Sequence, residues 1–335
     1  MKARLTALIV NLIGLATLVS VGIAAGVHFE YAKGLVPAPP GHIVKPFPLM
    51  RYLGVYEPTS PHSYSGVTHF SALIGHRPNL ALYYSSWWEP FQISFARAAV
   101  AHHALPMVQL EPRDVDLANV AAGQYDAYLR AFAESIRSLK TPVVLSFGHE
   151  MNADWYGWGY LHTPPWVFRA AWHHIYRLFA RLGVRNVKWM WTVNVVGGPD
   201  VRPIEEWWPG SRYVTWVGID GHYFTPTIKF ASLFGATLGQ VRQITDDPVL
   251  ISEAGIAPFV KINRITDLFE GAQSHGLLGV VWFDLQGGNL RIEGNPAAID
   301  VFRDAVLRYV KHVSGSAAPL RLIARHAKAR MQPMP

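Results

Sequence analysis

The sequence contains no cysteine, which excludes disulfides, thiolate metal sites and a cysteine nucleophile while leaving the compartment open. Charge is sparse: 16% of residues are charged, against 50% hydrophobic and 13% aromatic. That balance excludes a disordered chain and supplies enough apolar surface for a sizeable core. The formal net charge is +7, but Lys2 and Arg4 supply two of these charges and Arg321, Arg325, Lys328 and Arg330 supply four. The segment between is close to neutral. Phosphate recognition needs a basic surface, so no nucleic-acid partner is expected.

What is present first is a long apolar run. Residues 5–26 carry no charge and follow Lys2 and Arg4, the pattern of an export signal whose start stays in the cytoplasm. Its 22 residues can span a bilayer, whereas Ala24-Ala25-Gly26 suits a signal peptidase. Residues 1–26 are therefore expected to be a retained anchor or a cleaved signal peptide. Either places the body outside the cytoplasm, membrane-anchored or secreted. A Pro-rich linker (27–49) follows, with Pro37, Pro39, Pro40, Pro46 and Pro48 favouring an extended spacer. Residues 314–335 form a basic tail, expected to be a solvated terminus or a contact for an anionic membrane or cell-wall polymer.

Between these ends, residues 50–313 alternate in character. Short apolar, β-branched or aromatic runs lie at 52–56, 81–85, 106–110, 143–147, 187–192, 214–219, 249–252 and 280–283. Helical periodicity is clearest at 124–139, 166–182, 262–274 and 297–310, and 195–212 is loop-like. Eight strand–helix repeats in about 260 residues predict an α/β fold, a (β/α)8 TIM barrel. A doubly wound open sheet is the alternative, but the Gly-rich phosphate turn it often carries after the first strand is missing.

A barrel of this kind puts its active site at the C-terminal ends of the strands. Unusual polar residues sit where the apolar runs stop. The fourth run leads into His149-Glu150-Met151-Asn152, the seventh into Ser252-Glu253, the sixth into Asp220-Gly221-His222-Tyr223, the third into Glu111 and the fifth into Asn194. Two carboxylates across a barrel mouth are what glycoside hydrolysis requires, one protonated and one ionised. Aromatic residues that can stack on sugar rings crowd the same loops: Trp87-Trp88, Trp155, Tyr156, Trp158 and Trp282. Glu111 is suited equally to sugar binding and to pairing with Arg113. His149 has no second histidine four residues on, so the pattern is not that of a zinc protease helix.

His149-Glu150-Met151-Asn152 with Trp155-Tyr156 and Trp158-Gly159 resembles the acid/base signature of glycoside hydrolase family 26, mostly β-mannanases with some mixed-linkage β-glucanases and β-1,3-xylanases. Ser252-Glu253-Ala254-Gly255 is similar to that family's nucleophile segment. The resemblance implies a retaining endo-β-glycanase acting on β-1,4-mannan-type polysaccharide, with Glu150 as acid/base and Glu253 as nucleophile. Alternatives are a mixed-linkage β-glucanase or exopolysaccharide-trimming enzyme, and a non-catalytic sugar-binding barrel in a polysaccharide synthesis or export complex. Substrate contacts are expected from His149, Asn152, Trp155, Trp158, Asn194, Trp88, Glu111 and Trp282, the last as the floor under the reacting sugar. The family places a tyrosine after strand six against the nucleophile; here either His222 or Tyr223 could fill that role. No metal or organic cofactor is implied. The expected partners are the polysaccharide and, through an uncleaved anchor, the membrane, and a monomer is expected.

Overall fold

The computed structural model describes residues 48–198, 200–285 and 289–311. The anchor or signal segment, nearly all of the linker and the basic tail lie outside the described residues. Among the described residues no helix is long and apolar enough to cross a membrane.

Eight parallel strands close into a barrel in sequence order: β1 Tyr52–Tyr56, β2 Leu80–Ser86, β3 Leu105–Glu111, β4 Val143–Phe147, β5 Val187–Asn194, β6 Trp216–Tyr223, β7 Val249–Ile256 and β8 Gly279–Phe283, which pairs back with β1. Each predicted run overlaps one strand. The helices among the described residues are α1 Ser65–Ile74, α2 Ile93–Ala101, α3 Leu117–Ala121, α4 Asp126–Leu139, α5 Pro165–Arg181, α6 Phe230–Ile244, α7 Lys261–Ser274 and α8 Pro296–Tyr309. The loop-like stretch after β5 carries only a 3-10 turn at Glu205–Trp207.

Local rules account for the helix boundaries. α4 buries Leu129, Phe132, Ala133 and Ile136, one stripe at helical spacing, and stops at Lys140 in the left-handed conformation. α5 opens on Pro165, whose missing N–H is no loss in a first turn. Asp116 caps α3 through the Ala118 N–H, and Asn295 caps α8 through that of Ala298.

Strand alternation builds two cores. Leu53, Val55, Tyr83, Val108, Leu145, Trp191, Val217, Ile251 and Trp282 face the helices. Tyr52, Leu80, Leu82, Met107, Val144, Met190, Trp216, Leu250 and Val281 fill the lower barrel. Above that apolar plug the inward residues turn polar: Gln109, Ser146, Thr192, Asp220 and Ser252 are all buried. Gly218 is required at this level, since a Cβ there would come within 2.5 Å of Ser252 Oγ and 2.6 Å of Thr192 Oγ1.

Beside the mouth, where β1 and β8 end, Glu57, Asp284 and Glu293 bring carboxylate oxygens within 4.8 Å of one another. Such a set could hold a divalent cation, but Arg291 reaches into it, 2.9 Å from Glu57 and 3.2 Å from Glu293. Burial and the neighbouring Glu293 push Asp284 up to about 7. Arg291→Met should leave this cluster uncompensated and lower unfolding stability by about 1–3 kcal/mol, read from urea midpoints at pH 7. An unchanged midpoint would show that the arginine does not hold the cluster together.

Candidate active site

The two glutamates reach the mouth by two local departures from regular backbone. After β4 the chain turns through Gly148 and Glu150, both left-handed at φ 55° and 54°. For a residue with a side chain that conformation costs on the order of 1 kcal/mol or more. It is held by the Glu150 N–H donating to the Thr192 carbonyl at 3.0 Å and the Ala153 N–H donating to the Glu150 carbonyl at 3.0 Å. In β7 the register against β6 slips by one residue between Ile219 and Asp220, and that against β8 slips between Ile251 and Ala254. Ile251 and Ala254 face the outer core, so both residues between them, Ser252 and Glu253, point inward. A bulge that re-aims one side chain in this way is common beside active sites.

Glu150 is buried, with its Oε1 accepting from Asn194 Nδ2 at 2.6 Å and its Oε2 from the Trp155 indole at 2.8 Å. Burial, followed by the charge of Glu253, pushes its carboxyl up to about 7 even though both hydrogen bonds favour the ionised form. Glu253 experiences the opposite balance. Burial alone would raise it, but hydrogen bonds from His222 and Tyr84 outweigh burial and hold it below the usual carboxylate range. His222 Nε2 lies 3.0 Å from Oε1, and the Tyr84 hydroxyl donates to Oε2. The Gly255 N–H donates to His222 Nδ1 at 2.9 Å, which makes Nδ1 an acceptor and places the ring's proton on Nε2, facing the carboxylate.

Beneath the pair lies a third carboxyl. Asp220 is held well above the usual range by burial and by the charges of Glu253 and Glu150. Ser252 Oγ donates to its Oδ1 at 2.5 Å. One wall of the mouth is an aromatic stack. Tyr156 lies on Trp158 at 4.3 Å and 8°, and its hydroxyl is 3.1 Å from His149 Nε2. Burial lowers His149 to about 4 and keeps it neutral. Arg113, forked onto Glu111 at 2.7 and 2.8 Å, sits 5.7 Å from both rings.

The expected residues divide on this geometry. His149, Glu150, Asn194, His222 and Glu253 converge, with Trp155 beside Glu150. The choice between His222 and Tyr223 follows strand alternation: His222 faces the mouth, whereas Tyr223 packs outside against Phe234. Three other expectations, Asn152, Trp158 and Trp282, need correction. Asn152 is buried and spends its amide on the Asn194 backbone, at 3.0 and 2.9 Å. Trp158 is buried, donating to the His149 carbonyl at 2.7 Å. Both Glu111 oxygens are engaged by Arg113, the second of the two roles the sequence left open for it. Trp282 points outward onto Phe302 at 5.1 Å, its indole donating to Asp284. The residue after it, Phe283, faces the mouth, stacked on Tyr56 at 5.0 Å and 5.6 Å from His222. Of the Trp87-Trp88 pair, Trp87 packs in the core. Trp88 is 58% exposed at the rim, at φ 75° and braced on Tyr125 and Tyr128.

Tyr84, Tyr56 and Phe283 escaped the sequence reading. The signal for Tyr84 was there, because Leu80 and Leu82 fill the barrel and alternation turns Tyr84 inward with them.

The profile of glycosyl hydrolase family 26 matches residues 112–264, a stretch holding Glu150, Asn194, His222 and Glu253. Endoglucanase H of Acetivibrio thermocellus is 26% identical over 273 residues, which cover 76% of this chain but only 30% of that protein. A β-1,3-xylanase of an Alcaligenes species is 29% identical over 109 residues, 32% of this chain and 22% of that protein. Among solved structures, a modular endo-β-1,4-mannanase of Cellulomonas fimi superimposes with a TM-score of 0.64 at 16% identity, covering 81% of this chain and 74% of that one, a likeness of fold. The profile lies across the paired glutamates, and over that stretch the chain is similar to glycosyl hydrolase family 26.

Proposed function

We propose that the protein is a retaining endo-β-glycanase that cleaves by double displacement. The observation that carries this reading is the contrasting surroundings of two buried carboxyls at one mouth. Glu150 is held protonated to near neutrality, and Glu253 is held ionised by two donors. In the first step Glu253 attacks the anomeric carbon while Glu150 gives its proton to the departing glycosidic oxygen. In the second, Glu150 takes a proton from water, which displaces Glu253 from the anomeric carbon and regenerates both groups. Asn194 and Trp155 aim Glu150; His222 and Tyr84 aim Glu253. The exposed faces of Trp155 and Trp88 offer platforms for sugar rings.

The primary substrate reading is β-1,4-mannan, supported by the fold shared with mannanases. A β-glucan is the second, favoured by the longer sequence match to an endoglucanase. Release of reducing ends from mannan, lichenan and xylan separates them; release from lichenan with none from mannan would reverse the order. The membrane-anchored or secreted setting remains part of this proposal, supported by residues 1–26.

The protonation states set the pH profile. Activity needs Glu150 protonated, so kcat/KM should fall as pH rises through about 7. It needs Glu253 ionised, so the acid limb should lie below the usual carboxylate range. A rate still climbing well above neutrality would contradict the assignment of Glu150. Tyr84→Phe removes one charge-assisted hydrogen bond to the nucleophile. It should cost roughly 10- to 100-fold in kcat/KM and move the acid limb upward, because the carboxylate loses a donor. An unshifted limb would show that Tyr84 serves packing alone.

A further inference from the structure

The body is near neutral in sum, but its charge is sorted between the two ends of the barrel. All strands run one way, so the helix-to-strand connections gather at the face opposite the catalytic mouth. On that face Arg51, Arg77, Lys140, Arg185, Arg212 and Lys311 are exposed. The last turns of α4, α5, α6 and α8 add Arg137, Arg181, Arg242 and Arg308. Among the described residues the one exposed acid on these connections and last turns is Asp246. The strand-to-helix side instead carries Glu89, Asp114, Asp116 and Asp154. Cations in last turns answer the helix dipole, as do Lys140 and Lys311 at or just past a helix end; Arg51, Arg77, Arg185 and Arg212 have no such reason.

The same side of the molecule has a receptor-like feature. Arg177, Arg181 and Arg212, with Tyr176, Ala180 and Tyr213, line a recess of about 300 Å³. Arg177 donates to the Tyr213 hydroxyl at 3.1 Å, and among the described residues none of the three arginines is ion-paired. Three guanidinium groups around one recess suit a phosphate-bearing headgroup.

The chain ends select the occupant. A bridge between Met50 and Val310 brings both ends of the barrel domain together at this face. The sequence leading into it includes the uncharged residues 5–26, and the sequence leaving it carries Arg321, Arg325, Lys328 and Arg330 with no acid. An apolar run and a basic segment entering and leaving beside a basic face match an anionic bilayer, whose surface potential favours each nearby lysine or arginine.

We propose that the N-terminal face of the barrel docks on an anionic lipid surface, seating phosphate headgroups in the arginine recess and turning the catalytic mouth away from the bilayer. The absence of native cysteine makes the test clean. In the full chain, Ser138→Cys places a fluorophore on this face and Gly157→Cys places one in the loop beyond β4, at the mouth. The proteins are added to vesicles containing nitroxide-headgroup lipid, either zwitterionic or with about a third anionic lipid, as the surface-potential argument requires. Quenching at Ser138→Cys should be several-fold stronger on anionic vesicles, be relieved by 1 M salt, and be lost with Arg181→Glu/Arg185→Glu/Arg212→Glu. The label at Gly157→Cys should stay unquenched throughout. Unchanged circular dichroism and melting would show that the exposed charge reversals leave the fold intact. Equal quenching of both labels, quenching indifferent to lipid charge, or salt-sensitive binding to duplex DNA without vesicle contact would overturn the proposal.

Discussion

Glu253→Ala should lower turnover by about 10,000-fold or more, the scale seen when a covalent nucleophile is removed. Three features of the site explain so large an effect. The bulge in β7 exists to turn this one side chain inward beside Ser252. His222 and Tyr84 both point donors at its two oxygens, and the truncation leaves them facing a void. The loss also removes the neighbouring negative charge that, with burial, keeps Glu150 protonated, so more of the acid would be ionised at neutral pH. Added azide should occupy the void and attack an activated β-glycoside from that side, giving the α-glycosyl azide. Turnover within tenfold of the parent, or a β-azide, would remove Glu253 from the nucleophile role.

Glu150→Ala should separate the two steps. Proton donation by a placed acid contributes about 100- to 10,000-fold, so a polysaccharide with a poor leaving group should lose most of its turnover. An aryl glycoside with a good leaving group needs no such donation. It should still form the covalent intermediate, which then accumulates because no base activates water. A burst of aryl alcohol followed by a slow steady state is the expected record, and azide should speed the second phase while giving a β-glycosyl azide. Equal losses on both substrates would mean that Glu150 acts through structure rather than through proton transfer. The replacement also removes a side chain from a left-handed position, where alanine is no better suited than glutamate, so backbone relaxation is a small part of the expected effect.

Most of the barrel was legible because each inward or outward choice along a strand is written in residue type. Val143–Phe147 and Tyr52–Tyr56 coincide with their predicted runs, and α4 and α5 carry clear stripes. Helices such as α6 were not singled out: Gly235 and Gly239 interrupt its periodicity, and tertiary packing of Phe230, Leu233, Phe234 and Leu238 supplies what propensity does not. The site was legible at Glu150 and Glu253, which end apolar runs without a structural need for charge. Its surroundings were less so. Trp282 and Phe283 exchange the expected role by a single step of alternation, and Tyr223 yields to His222 for the same reason. Tyr84 was hidden differently. Its inward direction is written in the alternation with Leu80 and Leu82, but its reach to Glu253 from three strands around the barrel is created by closure and displayed by no local pattern.

The most direct test of the account is the configuration of the first sugar released. Proton NMR of early hydrolysis, on whichever polymer yields reducing ends, should show the β-anomer appearing first and the α-anomer growing only by mutarotation. That result follows if Glu253 carries the sugar through a covalent intermediate. Initial release of the α-anomer would mean a single inverting displacement and would contradict the pairing of Glu150 and Glu253 proposed for this barrel.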